Sequence, residues 1–425
     1  MSTDTPTASQ HPAEPRARVP GRDRAWLTSA VLLGLLTFAT HGANFAFTFM
    51  GARLLAPGDF ATLTAMLGIV LVGMAPGMAL QALTAAGVLG GPATIDAPIV
   101  RRLALVIAGL VAGIMVVLGP ALGTWNPVSV VAIGTAAGLL PLSAANEGVL
   151  QGRGRFTALG VVLCTGAMVK LAVGVTGMAT AATVWAAALG IALGYGAQLA
   201  LSRRLAGTDG PMTAPRTGPT VGLPGPVVTA VVMMGLLLVV IHVDAVMARL
   251  LLDDLSAGLY AVGATAMRIV FWAPQFAVLL LFPVLVTDPR RRVVTAAIGG
   301  LVVAGAIGTL AAALAGPTLV PFVFGDEYTA IGPDLWRFAW LGTAAVGLQV
   351  LALSDLATGR REALWVLAGT VATIVGVLLA TRPTDPVAVI TLVASIVTGF
   401  VVLGTLRRLA HPSPAGDDGP RAGLP

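Results

Sequence analysis

Residues 52–65 read ARLLAPGDFATLTA, and residues 248–261 read ARLLLDDLSAGLYA. Set in register about 196 residues apart, Arg53 falls on Arg249, Leu54 and Leu55 on Leu250 and Leu251, and Leu63 on Leu259. Ala52, Ala61 and Ala65 fall on Ala248, Ala257 and Ala261. Each block joins the end of one apolar run to the start of the next. Weaker echoes follow in the same order. Ala75-Pro76 corresponds to Ala273-Pro274, and Gly152-Arg153 with Arg155 corresponds to Gly359-Arg360-Arg361. Every echo returns six apolar runs later in the same direction. The chain therefore reads as two halves related by an axis along a membrane normal, the plan of an alternating-access transporter.

Composition sets the solvent. Of the 425 residues, 56% are hydrophobic and 10% charged, and the mean hydropathy is +0.91. A soluble domain carries about 25% charged residues, so this chain lacks the polar surface to coat itself in water. A soluble enzyme and a disordered chain are excluded. A bilayer core takes about 20 apolar residues per helix. Twelve runs meet that length: 26–52, 60–88, 102–122, 127–150, 156–177, 179–201, 226–251, 258–286, 293–316, 332–356, 362–381 and 386–406. The expected fold is an all-α polytopic membrane protein with two six-helix lobes. The expected division is a disordered tail over 1–25, an N-lobe over 26–201, a linker over 202–225, a C-lobe over 226–407 and a second disordered tail over 408–425.

Arginine placement orients the helices. Arg101-Arg102, Arg153 with Arg155, Arg203-Arg204 with Arg216, Arg290 to Arg292, Arg360-Arg361 and Arg407-Arg408 occupy every second connection. The alternate connections hold Arg53, Arg249, Arg337 and Arg382 among Asp59, Asp253, Asp254, Asp326, Glu327, Asp334 and Asp385. The positive-inside rule then puts both termini in the cytoplasm of a multi-pass cytoplasmic-membrane protein. The net charge of +6 is read as topology, with no nucleic-acid partner.

A charge in the bilayer core costs roughly 2.5–3.5 kcal/mol on insertion scales, so each such residue is a candidate for function. Counting along the helices puts Arg268 near the midplane. Lys170 and His41 fall in the outer half, with Asn44 close by, and Asp244 falls further out. Glu147 and Asp355 lie within about two turns of the cytoplasmic end. Salt bridges to Arg153 and Arg360 account for those last two. Lys170 and Asp244 match in depth and oppose in sign, which allows either an inter-lobe pair or partners within each lobe. Gly166, Lys170 and Gly174 form a small-residue stripe that fits either a close helix seam or a lipid groove. Pro76, Pro141, Pro274 and Pro283 interrupt the second, fourth and eighth runs, and Pro76 and Pro274 are hinge candidates.

Five stretches resemble bacterial polysaccharide flippases of the multidrug/oligosaccharidyl-lipid/polysaccharide (MOP) superfamily, the Wzx type. Asp244 to Leu252, Ser256 to Tyr260 and Arg268 to Pro274 are similar to their seventh and eighth helices. Phe45 to Phe60 resembles their first helix and its turn, and Leu150 to Phe156 resembles a cytoplasmic junction after the fourth helix. The resemblance implies a MATE-like fold and a cargo of undecaprenyl-pyrophosphate-linked oligosaccharide, a polysaccharide or lipopolysaccharide precursor. Twelve runs depart from the fourteen helices typical of lipid II flippases. In this reading Arg268, assisted by Lys170, holds the pyrophosphate. Asp244, His41, Asn44, Glu147 and Asp355 are gating or coupling candidates. The partners are membrane lipids and the glycosyltransferases or polymerase of the same pathway.

Other functions fit less well. No cofactor is expected. No GxxxxGK[ST] phosphate loop is present. One cysteine, Cys164, and four scattered histidines give no metal cage. The longest outer connection, about Gly316 to Ile331, offers Asp326 and Glu327 without a histidine, too little for an enzyme. A drug or metabolite antiporter on the same fold would want a buried N-lobe carboxylate, for which Glu147 is the one intramembrane choice. A non-transporting scaffold of a cell-envelope assembly complex is the remaining alternative.

Overall fold

The structure is a computed structural model that describes residues 24–71, 73–88, 97–123, 126–207, 225–273, 291–358 and 360–410. The expected linker and tails fall mostly outside the described residues, as do Pro274 and Pro283. Among the described residues there is no strand, and twelve helical segments are long and apolar enough to cross a membrane. Helix is the only open-ended element that satisfies every backbone group without water.

The N-lobe comprises α1 (Arg24–Leu54), α2 (Pro57–Leu71), α3 (Met74–Val88), α4 (Ala97–Leu118), α5 (Pro127–Gly152), α6 (Phe156–Ala181) and α7 (Val184–Ala206). The C-lobe comprises α8 (Gly225–Leu251), α9 (Asp254–Trp272), α10 (Arg291–Val323), a 3-10 helix (Asp326–Asp334), α11 (Leu335–Thr358), α12 (Glu362–Thr381) and α13 (Pro386–Ala410). The duplication is visible in the packing. α5 packs on α3, α4 and α7 while α1 packs on α6; correspondingly, α11 packs on α9, α10 and α13 while α8 packs on α12. The third membrane helix of each lobe is peripheral. Leu105, Val106, Leu110 and Val117 of α4 lie open, as do Val303, Ile307, Leu310 and Leu314 of α10. Exposed apolar rows of this kind are the surface a bilayer solvates.

Local chemistry sets several boundaries. Asn126 caps α5, its side chain accepting from Val128 N at 2.8 Å, and Pro127 takes the first helical position. Asp253 caps α9, accepting from the amides of Leu255 and Ser256 at 3.1 and 3.0 Å. The turn after α6 passes through Ala182 at φ 48°, and the matching turn after α12 passes through Arg382 at φ 43°. Left-handed backbone costs a non-glycine residue roughly 1–2 kcal/mol, so both lobes hold the same strained corner.

Three expectations are corrected. The second span comprises two helices, α2 ending at Leu71 and α3 beginning at Met74, and Gly73 N bonds Val70 O at 3.0 Å. Pro76 therefore sits in the first turn of α3, where its missing N–H leaves no bond unmade. The outer loop expected from Gly316 is helix through Pro317 and Pro321 to Val323, followed by the 3-10 helix. Arg408, expected in the tail, belongs to α13, which runs to Ala410, and is ion-paired.

The lobes meet along α2 and α3 on one side and α8 and α9 on the other. One continuous apolar core runs through both lobes and across this seam.

Candidate functional site

α9 carries Arg268, which is 8% exposed and lies near His242 of α8, and a Cβ on Gly68 of α2 in the other lobe would sit 2.9 Å from His242 Cβ. Beside it stand Asp244 and His242 of α8 and Tyr260 of α9, all buried. Tyr260 donates its hydroxyl to Asp244 Oδ2 at 2.8 Å. His242 Nδ1 lies 2.8 Å from Leu238 O, so Nδ1 donates and Nε2 is left as an acceptor. Asp244 Oδ1, His242 Nε2, and Arg268 Nε and Nη2 have no hydrogen-bond partner among the described residues. Nε and Nη2 form one edge of the guanidinium, the edge that grips two oxygens of a phosphate or carboxylate at once. Leaving such groups buried and unmade costs several kcal/mol, which water or a cargo group removes.

Lys170 of α6 is 7% exposed. Its amine donates to Asn44 Oδ1 of α1 and lies 5.1 Å from the Phe47 ring centroid. Gly166 and Gly174 flank it on α6 and face Gly190 and Gly194 of α7. A Cβ on Gly194 would come within 2.7 Å of Lys170 Cβ and of Gly166 O. The stripe is thus a helix seam, and the lipid-groove alternative falls away. The inter-lobe pairing of Lys170 with Asp244 is corrected as well, since each has a partner in its own lobe. The reason is side-chain direction: Lys170 points across α6 to α1, and Asp244 points into the α8–α9 contact.

A ring contact joins α1 to α9 across the lobes: His41 lies against Trp272, ring centroids 6.3 Å apart. Asn44 follows His41 by three residues and Arg268 precedes Trp272 by four, so each shares a helix face with its neighbour.

Glu147 of α5 is 4% exposed and accepts from Gln198 Nε2 of α7 at 2.7 Å. Arg153, its expected partner, donates to Ala206 O at 3.0 Å. Asp355 is 1% exposed and pairs with Arg408 of α13, while Arg360 bonds Glu362 at 2.7 Å. Tyr260, Trp272, Gln198, Phe47 and Arg408 were missed by sequence reasoning. Gln198 alone left a signal, as an amide within an otherwise apolar run.

No protein-family model and no curated protein matches the chain. Solved structures do match. A lipid II flippase, MurJ, in an inward closed conformation aligns with TM-score 0.65 at 10% identity, over 89% of this chain and 87% of that one. An inward-facing multidrug resistance MATE family transporter of the MOP superfamily aligns with TM-score 0.60 at 14% identity, over 87% and 94%. The chain has the fold of the MOP transporters. A MOP superfamily transporter from Pyrococcus furiosus, described as having a binding pocket of reverse polarity, aligns with TM-score 0.56 at 13% identity, over 91% and 95%.

Proposed function

We propose that this protein is a flippase that carries undecaprenyl-pyrophosphate-linked oligosaccharide across the cytoplasmic membrane by alternating access, with both termini in the cytoplasm. The observation that carries the reading is the unfilled guanidinium edge of Arg268, buried beside the seam between the lobes. A pyrophosphate must shed water to pass a bilayer core. A fixed fork of donors offers its oxygens the bonds that water gave up. Lys170 adds a second buried cation behind Asn44, on the face of α1 that meets α9. His41 and Trp272 join α1 to α9 across the seam.

Asp244 supplies the counter-charge that makes Arg268 tolerable when no cargo is present. Buried cations near the seam favour an anionic cargo, and the two tandem phosphates of the lipid carrier fit that preference. The likeness of fold to a lipid II flippase supports a lipid-linked cargo, with membrane lipids and the enzymes of the same polysaccharide pathway as partners.

The buried Glu147–Gln198 pair favours a second reading. It gives an ion-coupled antiporter the N-lobe carboxylate it needs, and the multidrug relatives by fold support it.

Reconstituted vesicles separate the two. The flippase reading expects translocation of pyrophosphate-linked sugar lipids, lost at least ten-fold in Arg268→Ala, since removing one charge-assisted bidentate contact is worth about that factor. Wild-type flipping by a normally folded Arg268→Ala removes the arginine from the mechanism. Efflux of a cationic drug without lipid translocation selects the antiporter.

A further inference from the structure

The two arginines that mark the duplication both cross to the opposite lobe. Arg53, at the end of α1, donates from Nε to Val323 O at 2.9 Å and from Nη2 to Phe322 O, both carbonyls at the end of α10. Arg249, at the end of α8, donates from Nε to Thr62 Oγ1 of α2 at 2.9 Å. Thr62 passes that contact to Leu122 O, 2.8 Å away in the segment after α4, and Arg249 Nη2 packs where a Cβ on Gly123 would lie 2.8 Å from it. α4 and α10 are the third membrane helices of their lobes. Arg53 therefore grips the end of the third helix of the other lobe directly, and Arg249 reaches the segment just after the third helix of the other lobe through a hydroxyl. Arg249 also pairs with Asp254 at 3.1 Å.

The lobes also touch closely at the starts of α2 and α9. A Cβ on Gly58 would sit 2.5 Å from Asp254 Cγ, and one on Gly258 would sit 2.6 Å from Pro57 Cβ. The starts of α2 and α9 thus touch with little side chain interposed. Around them are edge-on aromatic contacts, Phe60 with Tyr328 and Phe49 with Phe324, and one longer bond from Tyr328 Oη to Ala52 O at 3.3 Å. Apolar contact holds this surface together, and the arginine bonds add the directional part of the closure.

We propose that Arg53 and Arg249 are a matched pair of latches that close this end of the inter-lobe seam, and that both release when cargo passes through it. The inference rests on the chain being an alternating-access transporter and not on the identity of the cargo. The end in question is the one the arginine distribution puts outside. Helix-end carbonyls suit a latch, because their orphan lone pairs and negative dipole end attract a guanidinium yet accept water when it leaves.

The test reads conformation without cargo. In a Cys164→Ser background, spin labels at Ala121→Cys of the N-lobe and Thr329→Cys of the C-lobe, both exposed, report their separation by pulsed electron resonance in lipid nanodiscs. Arg249 is 12% exposed at its side chain, so Arg249→Gln is expected to raise the open-to-closed ratio about ten-fold. Arg53→Gln, at an exposed arginine, is expected to raise it less, and the double variant more than either. Thr62→Val removes an acceptor of Arg249 while keeping the arginine, and is expected to shift the ratio in the same direction, so the proposal stays testable if an arginine variant fails to fold. Unchanged distance distributions in folded Arg249→Gln and Thr62→Val overturn the proposal, as does a shift confined to one latch. A protein that opens as expected but moves no lipid-linked sugar retains the latch and loses the flippase reading.

Discussion

Replacing Asp355 tests the densest polar contact of the C-lobe. Arg408 Nη2 donates to Asp355 Oδ1 and also to Leu351 O at 2.6 Å, and Ala363 N donates to Asp355 Oδ2 at 2.5 Å. The carboxylate thereby ties α11 to the start of α12 and to the end of α13. Breaking one partner of a buried ion pair costs 3–5 kcal/mol. Arg408 keeps 21% of its side chain exposed and recovers some hydration, so Asp355→Ala should lose about 3 kcal/mol, the low end of that range. Asp355→Asn retains an acceptor for Ala363 N and loses only the charge, so about 1–2 kcal/mol is expected. Arg408→Met leaves the carboxylate in place with its amide bond but without the Arg408 guanidinium, and should again cost about 3 kcal/mol. The double variant should cost less than the sum, with a coupling of roughly 1–3 kcal/mol. Denaturant unfolding in detergent micelles, followed by tryptophan fluorescence, measures all four proteins. Trp365 lines the same cleft as Arg408 and reports locally. Strictly additive losses, or losses below about 0.5 kcal/mol for each single variant, would refute the reasoning and reduce the pair to a solvated contact.

Three further substitutions probe the scaffold. Gly190→Ala places a methyl group 2.5 Å from Gly174 Cα and 2.6 Å from Gly174 N. The α6–α7 seam must open, at a cost of roughly 1–3 kcal/mol, whereas Gly196→Ala meets nothing within 4 Å and should be neutral or stabilising in the same unfolding assay. Asp253→Ala removes the cap of α9 and should cost about 1 kcal/mol at neutral pH. The amides of Ser256 and Leu255 hold the Asp253 carboxyl below its usual range. Its contribution is therefore complete above the unfolded value near 3.8 and fades as pH falls through the lower folded value, so wild type and variant should converge in acid.

The number of membrane helices was legible in the sequence because a bilayer imposes a length on every apolar run, and length is a local property. The lobes were legible because Arg53 and Arg249 head two copies of one block. Boundaries were less so. Pro317 and Pro321 read as loop, yet the helix continues through them, because neighbouring packing holds the backbone that a proline leaves short of one bond. Arg268, Lys170 and Asp244 were placed inside the membrane from their apolar runs and Glu147 and Asp355 near its cytoplasmic end, and all five are at most 8% exposed. Partners were not legible. Asn44 lies 126 residues from Lys170, Gln198 lies 51 from Glu147, and Arg408 lies 53 from Asp355. Hydropathy says that a charge is in the membrane but not which helix it faces. That choice depends on rotation and stagger between helices, which the glycines of the α6–α7 seam and the crossing of the two lobes decide only once the chain is packed.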